Sequence, residues 1–125
     1  MNGLLNDVTS QLLTKALNVG AIRQRVISNN IANINTPGFK RSFVTFEDQL
    51  QEALARTEGF ANKQVGVKPE IIQDESSSMR QDGNNVDMDK EMANLAMNSI
   101  NYSTAARQLN KKFAMLRYVI TEGRG

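Results

Sequence analysis

The 125-residue chain contains no cysteine, no histidine and no tryptophan, and only two prolines. Without thiols or imidazoles there can be no disulfide, no cysteine nucleophile, no imidazole base and no zinc site that depends on those ligands. An enzyme is not expected, nor a cofactor or a metal. Aromatic residues make up only 6% against 40% hydrophobic overall, and mean hydropathy is -0.43. Such a chain is short of the bulky side chains that anchor a thick core and better suited to methyl-rich helix packing. The missing cysteines are silent about compartment. No stretch approaches the roughly 20 apolar residues of a membrane span. Residues 1–10 hold no Lys or Arg and break at Asn6-Asp7, unlike a cleavable export signal.

Net charge is +2 but unevenly spread: residues 1–41 carry five basic and one acidic side chain, 42–86 four and eight, and 87–125 six and four. Both ends are basic and the middle acidic. A nucleic-acid binder would gather Lys and Arg on one helix or arm beside aromatics or polar fingers; Arg23, Arg25, Lys111 and Lys112 are too few for that, and no nucleic-acid partner is expected.

The C-terminal third is strongly periodic. Met88, Leu95, Tyr102, Leu109 and Leu116 recur every seven residues, interleaved with Met92, Ser99, Ala106, Phe113 and Ile120. Asp87 stands at an N-cap position, Asp89 and Glu91 in the first turns, and Gly123 after the last periodic residue, which predicts a helix over about 88–121. At 1.5 Å per residue it would run on the order of 50 Å, the length of a coiled-coil or bundle element. The N-terminal stretch repeats Leu5, Leu12, Val19 and Val26 at the same interval and predicts a helix over about 4–35, despite Gly20 within it, which costs up to about 1 kcal/mol relative to Ala. Two such helices can bury their stripes against each other as an antiparallel pair.

Pro37-Gly38 supplies the central residues of a type II turn and ends the first helix. Residues 42–46 have the character of an extended segment, and Thr45 with Asp48 resembles a capping box opening a short helix over about 47–56. Residues 57–86 collect Gly, Ser, Pro and Asn, with β-like pieces only at 65–67 and 70–72, and read as a mobile loop or a minimal β excursion. The expected fold is mostly α: long terminal helices paired as a coiled-coil hairpin, with a loop-rich middle carrying a short helix and at most short β pieces. Residues 1–36 form an N-terminal helical segment, 37–86 the middle, and 87–125 a C-terminal helical segment, the two ends making one assembly domain.

Carboxylate pairs such as Asp87 with Asp89 or Asp74 with Glu75 read as caps and solvated faces. Asp82, Asn84 and Asp87 fail the EF-hand spacing, and there is no P-loop or GxGxxG. Met88, Met92, Met97 and Met115 read as core filler. The stretch SNNIANINTPGFKR, residues 28–41, is less ordinary. Asn is a weak helix former, and Asn29, Asn30 and Asn33 together cost about 2 kcal/mol unless their amides find partners. A polar amide at a helix seam penalises wrong registers more than it stabilises the right one, a property suited to identical helices that must choose one packing.

Residues 30–40, NIANINTPGFK, preceded by Asn29, closely resemble the N-terminal signature of bacterial flagellar rod and hook proteins, NNLANxNTPGYK. Residues 83–91, GNNVDMDKE, resemble the GNNVDxxxE entrance to the C-terminal helix of the small rod members. Ile31, Ile34 and Phe39 depart modestly from the pattern. The resemblance implies a structural subunit of the flagellar basal-body rod, exported by the flagellar type III apparatus without a cleaved signal and assembled across the periplasm. Its implied partners are other rod proteins, the rod-to-ring adaptor protein and the inner-membrane ring, with self-association in a helical assembly. On this reading Asn29, Asn30, Asn33 and Asn35 set register between subunits and Thr36, Pro37 and Gly38 turn the chain out of the helical layer. The alternatives are another small rod protein of the family and, from a different class, a DNA-associated helical hairpin.

Overall fold

A computed structural model describes residues 7–56, 66–78 and 80–123. Five elements follow in order: α1 (Val8–Ala32), β1 (Ser42–Thr45), α2 (Glu47–Arg56), β2 (Glu70–Gln73) and α3 (Met88–Glu122). The two long helices lie antiparallel, since Asn98 of α3 meets Gly20 of α1 while Asn30 meets Glu91.

Helix α1 begins at Val8 with Asp7 as its N-cap, the Asp7 carboxylate accepting the Ser10 N–H at 2.9 Å; the start expected near residue 4 lies outside the described residues. The same carboxylate takes an ion pair from Lys112 near the far end of α3. Lys112 and the Ser10 N–H together lower the Asp7 pKa from its ordinary 3.8 to about 2. A depressed folded-state pKa contributes stability that is present above the unfolded value and lost as pH falls through the folded one. Asp7→Asn, which keeps the cap, is therefore expected to flatten the pH dependence of unfolding between 3.8 and about 2 while leaving it unchanged at neutral pH beyond the loss of a surface ion pair.

The strands form a two-stranded antiparallel ribbon, Phe43 opposite Ile72 and Val44 opposite Ile71. The 65–67 piece is no strand where it is described, since residues 66 and 67 are irregular and residue 65 lies outside the described residues. The hydrophobic core sits where α1 meets the middle of the chain: Val19, Val44 and Phe46 are buried together, with Ile22, Val26, Leu50 and Val67 packed around them. Val19 and Val26 thus serve the contact between α1 and the middle segment.

Contact between α1 and α3 is of another kind. The residues of α3 that are buried are Glu91, Asn98 and Ala105, a line one residue away from Met92, Ser99 and Ala106. Asn98 donates to the Gly20 carbonyl at 2.9 Å and to Gln24 Oε1 at 3.3 Å. Gly20 is there because Tyr102 lies on it: a Cβ would stand 2.9 Å from Tyr102 Cδ2.

Candidate functional site

Helix α1 stops at Ala32, short of residue 35, with Asn33 as its C-cap. The turn that leaves it is gripped by the Asn84 amide, whose Nδ2 lies 2.9, 3.0 and 2.9 Å from the carbonyl oxygens of Asn33, Ile34 and Thr36. Arg80 Nη1 adds a second bond to the Ile34 carbonyl at 2.6 Å. Asn84 is 0% exposed, and its Oδ1 accepts the Val86 N–H at 2.8 Å, so both ends of the amide are used.

The turn that follows is closed by the Phe39 N–H to the Thr36 carbonyl at 3.2 Å, with Gly38 at φ +74°. Thr36, Pro37 and Gly38 are all exposed. Nothing lies within 4 Å of a Cβ built at Gly38, so its replacement tests backbone conformation alone. Gly38→Ala is expected to lower stability by about 1 kcal/mol, seen as a reduced urea midpoint at constant slope, and Gly38→Asn by less, since Asn tolerates the left-handed region.

Asn30 is 1% exposed and behaves as a piece of backbone. Its Oδ1 accepts the Ser42 N–H at 2.9 Å and its Nδ2 donates to the Ser42 carbonyl at 2.8 Å, pairing with the start of β1 as a strand would. The same Nδ2 reaches Glu91 Oε2 at 3.2 Å. Glu91, itself 0% exposed, is held on its other oxygen by Arg41 Nε at 2.6 Å. Arg41 also pairs with Asp74 at 3.1 Å and lies over the Phe43 ring, 5.6 Å from its centroid. Burial works to lower the Arg41 pKa, but the bonds to Glu91 and Asp74 outweigh it and the pKa is raised; the guanidinium stays charged. The Ser76 N–H, with a smaller effect of Arg41, holds the Asp74 carboxyl below its ordinary value. Asn85 completes the set: its Oδ1 accepts the Arg41 N–H at 2.7 Å and its Nδ2 donates to the Asp74 carbonyl at 2.8 Å.

The other asparagines stay outside this clasp. Asn33 donates to the Asn29 carbonyl at 2.8 Å and accepts the Thr36 hydroxyl at 3.1 Å, a local arrangement at the helix end. Asn29 and Asn35 are exposed. Of the heptad positions, Met88, Met92, Tyr102, Phe113 and Ile120 are exposed, Leu12, Val26, Leu95, Ala106, Leu109 and Leu116 are half-buried, Val19 is buried, and Leu5 lies outside the described residues.

The two stretches singled out in the sequence are therefore one site: 28–41 and 83–91 bind each other through Asn30, Arg41, Asn84, Asn85 and Glu91. Residues 11–40 match the profile of a family described as flagella basal body rod protein. The chain is 40% identical over 123 residues to the flagellar basal body rod protein FlgB of Bacillus subtilis (strain 168), with 93% of this chain and 95% of that protein covered. The chain belongs to the flagellar basal body rod protein FlgB family. FlgB of Borrelia hermsii is 40% identical over 78% of this chain and 84% of its own. That of Aeromonas hydrophila is 33% identical over 81% and 83%.

Arg41 and Asn98 escaped the sequence reading, and Asp74 was read with Glu75 as a cap or solvated face. Glu91 was read as a first-turn acid, although with Asn98, Ala105 and Lys112 it marks a seven-residue line of its own. That line, beside the apolar one, was the available signal. Among the described residues no cluster of acidic side chains could hold a metal ion, and no helix is long and apolar enough to cross a membrane.

Proposed function

We propose that the chain is a structural subunit of the proximal part of the flagellar basal-body rod, non-enzymatic, which assembles by coiled-coil packing of its terminal helices and transmits torque. The observation that carries this reading is the outward side of α3, a helix of 35 residues. At 100° per residue, Ile100 and Tyr118 point away from the buried Asn98 and Ala105, with Met97 and Met115 on the flank beside them, and each is more than half exposed. A helix that already turns one line to α1 and leaves exposed apolar residues over the rest of its surface is suited to a second helical neighbour. The names of its relatives, matched over most of both chains, supply the setting: a basal-body rod.

In this assembly residues 1–36 and 87–125 form one helical layer and 37–86 lie outside it. Its partners are further rod subunits, the rod-to-ring adaptor and the inner-membrane ring, reached through the flagellar type III apparatus into the periplasm, with no nucleic acid involved. Asn29, Asn33 and Asn35, whose side chains take no part in the clasp, meet the neighbouring subunit and set register. The basic residues needed for the alternative, DNA binding, are partly engaged, Arg23 with Glu47 and Lys112 with Asp7.

Detergent-extracted hook–basal bodies from the native bacterium, with a crosslinker placed at position 33, test this reading. Recovery of the chain linked to another rod or adaptor subunit is the expected result; its absence from complete basal bodies sinks the proposal. Asn33→Leu is expected to preserve helical circular dichroism, because Asn84 still grips the turn that leaves the helix, while reducing rod yield and swimming. Unchanged motility would remove Asn33 from the interface.

A further inference from the structure

Helix α3 is not uniform along its length. Its first turns are rooted in the clasp, where Glu91 is bonded by both Asn30 and Arg41. Residues 98–104 read Asn-Ser-Ile-Asn-Tyr-Ser-Thr, seven consecutive positions without one strong helix former. Ser and Asn also compete for backbone bonds and so favour non-helical conformations. Thr104 makes such a bond already, its hydroxyl donating to the Ile100 carbonyl at 2.9 Å, an arrangement that bends helices. On α1 the residue facing this stretch is Gly20, the poorest helix former of that helix. The weakest points of both helices thus stand at the same level, under the Tyr102 ring.

Beyond this level the side chains of α3 turned to α1, Ala106, Leu109 and Leu116, are half-buried rather than buried. Ala105 is the last buried residue on the helix, and the ion pair from Lys112 to Asp7 is of the surface kind that contributes little. The root is held by a buried ion pair and its hydrogen bonds, and the distal half has none of that kind among the described residues.

We infer that residues 98–104 are a joint in α3, dividing a rigid root held by Glu91 from a distal arm that bends away from α1 in the isolated subunit. The arm can then take a different angle from the rest of the helix without disturbing the core formed by Val19, Val44 and Phe46. This does not depend on the proposed place in the rod.

Because the chain has no cysteine, introduced pairs carry spin labels only where they are placed. Pulsed electron–electron resonance on the full-length protein would compare a root pair, Ser28→Cys with Ala93→Cys, and an arm pair, Thr9→Cys with Asn110→Cys, all four native residues being exposed. A narrow distance distribution at the root and a broad or two-peaked one at the arm is expected. Equally narrow distributions overturn the joint, and a root as broad as the arm overturns the rooting. Thr14→Cys with Arg107→Cys, also exposed, serves as a second arm pair should the first perturb the fold. The decisive variant replaces Ser99, Asn101, Ser103 and Thr104, all exposed, with Ala. It should narrow the arm distribution and leave the root unchanged; an arm that stays broad assigns the motion elsewhere and overturns the joint.

Discussion

Arg41→Met is expected to destabilise the isolated subunit by about 3 kcal/mol, because removing one partner of a buried ion pair leaves the other charge buried and uncompensated. The Glu91 carboxylate would retain only the Asn30 amide at 3.2 Å, in a site where it is 0% exposed. Arg41 also spans three pieces of chain, meeting Glu91 on α3, Asp74 after β2 and Asn85 in the entrance to α3. Its backbone bonds to Asn85 and Asp74 survive the substitution, so the loss reports the guanidinium. A urea titration followed by circular dichroism measures it. Arg41→Met with Glu91→Leu should recover part of the loss, since an apolar pair of similar volume removes the stranded charge. A double variant as unstable as the sum of both single ones would show that the pair is not coupled and that each residue acts through its other contacts.

This ion pair also marks how far the sequence could be read. Local signals were sufficient for the elements: Asp87 and Gly123 bracket α3, Thr45 and Asp48 announced a helix that runs Glu47–Arg56, and the apolar 42–46 stretch holds β1. Partnership was not legible. A seven-residue apolar period identifies a line along a helix, but the line turned inward is decided by which side chains find partners across the gap. Here Glu91 finds Arg41 and Asn98 finds Gly20, so a polar line faces α1 and Met92 is left outside. The apolar stripe of α1 is likewise turned partly to Val44 and Phe46, a contact between segments whose pairing leaves no mark in local composition. The asparagines illustrate the same limit. The helix penalty of Asn30 was plain from the sequence, yet the strand that repays it was not, nor was the turn at Asn33, Ile34 and Thr36 that Asn84 holds.

Met97→Lys with Ile100→Lys is expected to abolish swimming while leaving the isolated subunit as stable as its parent. Both side chains are more than half exposed, Ile100 on the side of α3 turned away from Asn98 and Met97 on its flank, and exposed substitutions away from special features usually change stability by about 0.5 kcal/mol or less. Lys is at least as good a helix former as Ile, so α3 itself is not weakened. Two ammonium groups buried at a helix–helix contact would, in contrast, lose their hydration without gaining a counter-charge, an expense of several kcal/mol per ion. A rod built by repeated contacts of one kind meets that expense at every copy. Urea titration and circular dichroism of the purified variant, beside swarm diameter and basal-body yield in the native bacterium, separate the two effects. Normal swimming would mean that the outward face of α3 is not where subunits pack. Lost swimming with an unfolded variant would instead place these residues with Arg41, among those that hold the single chain together.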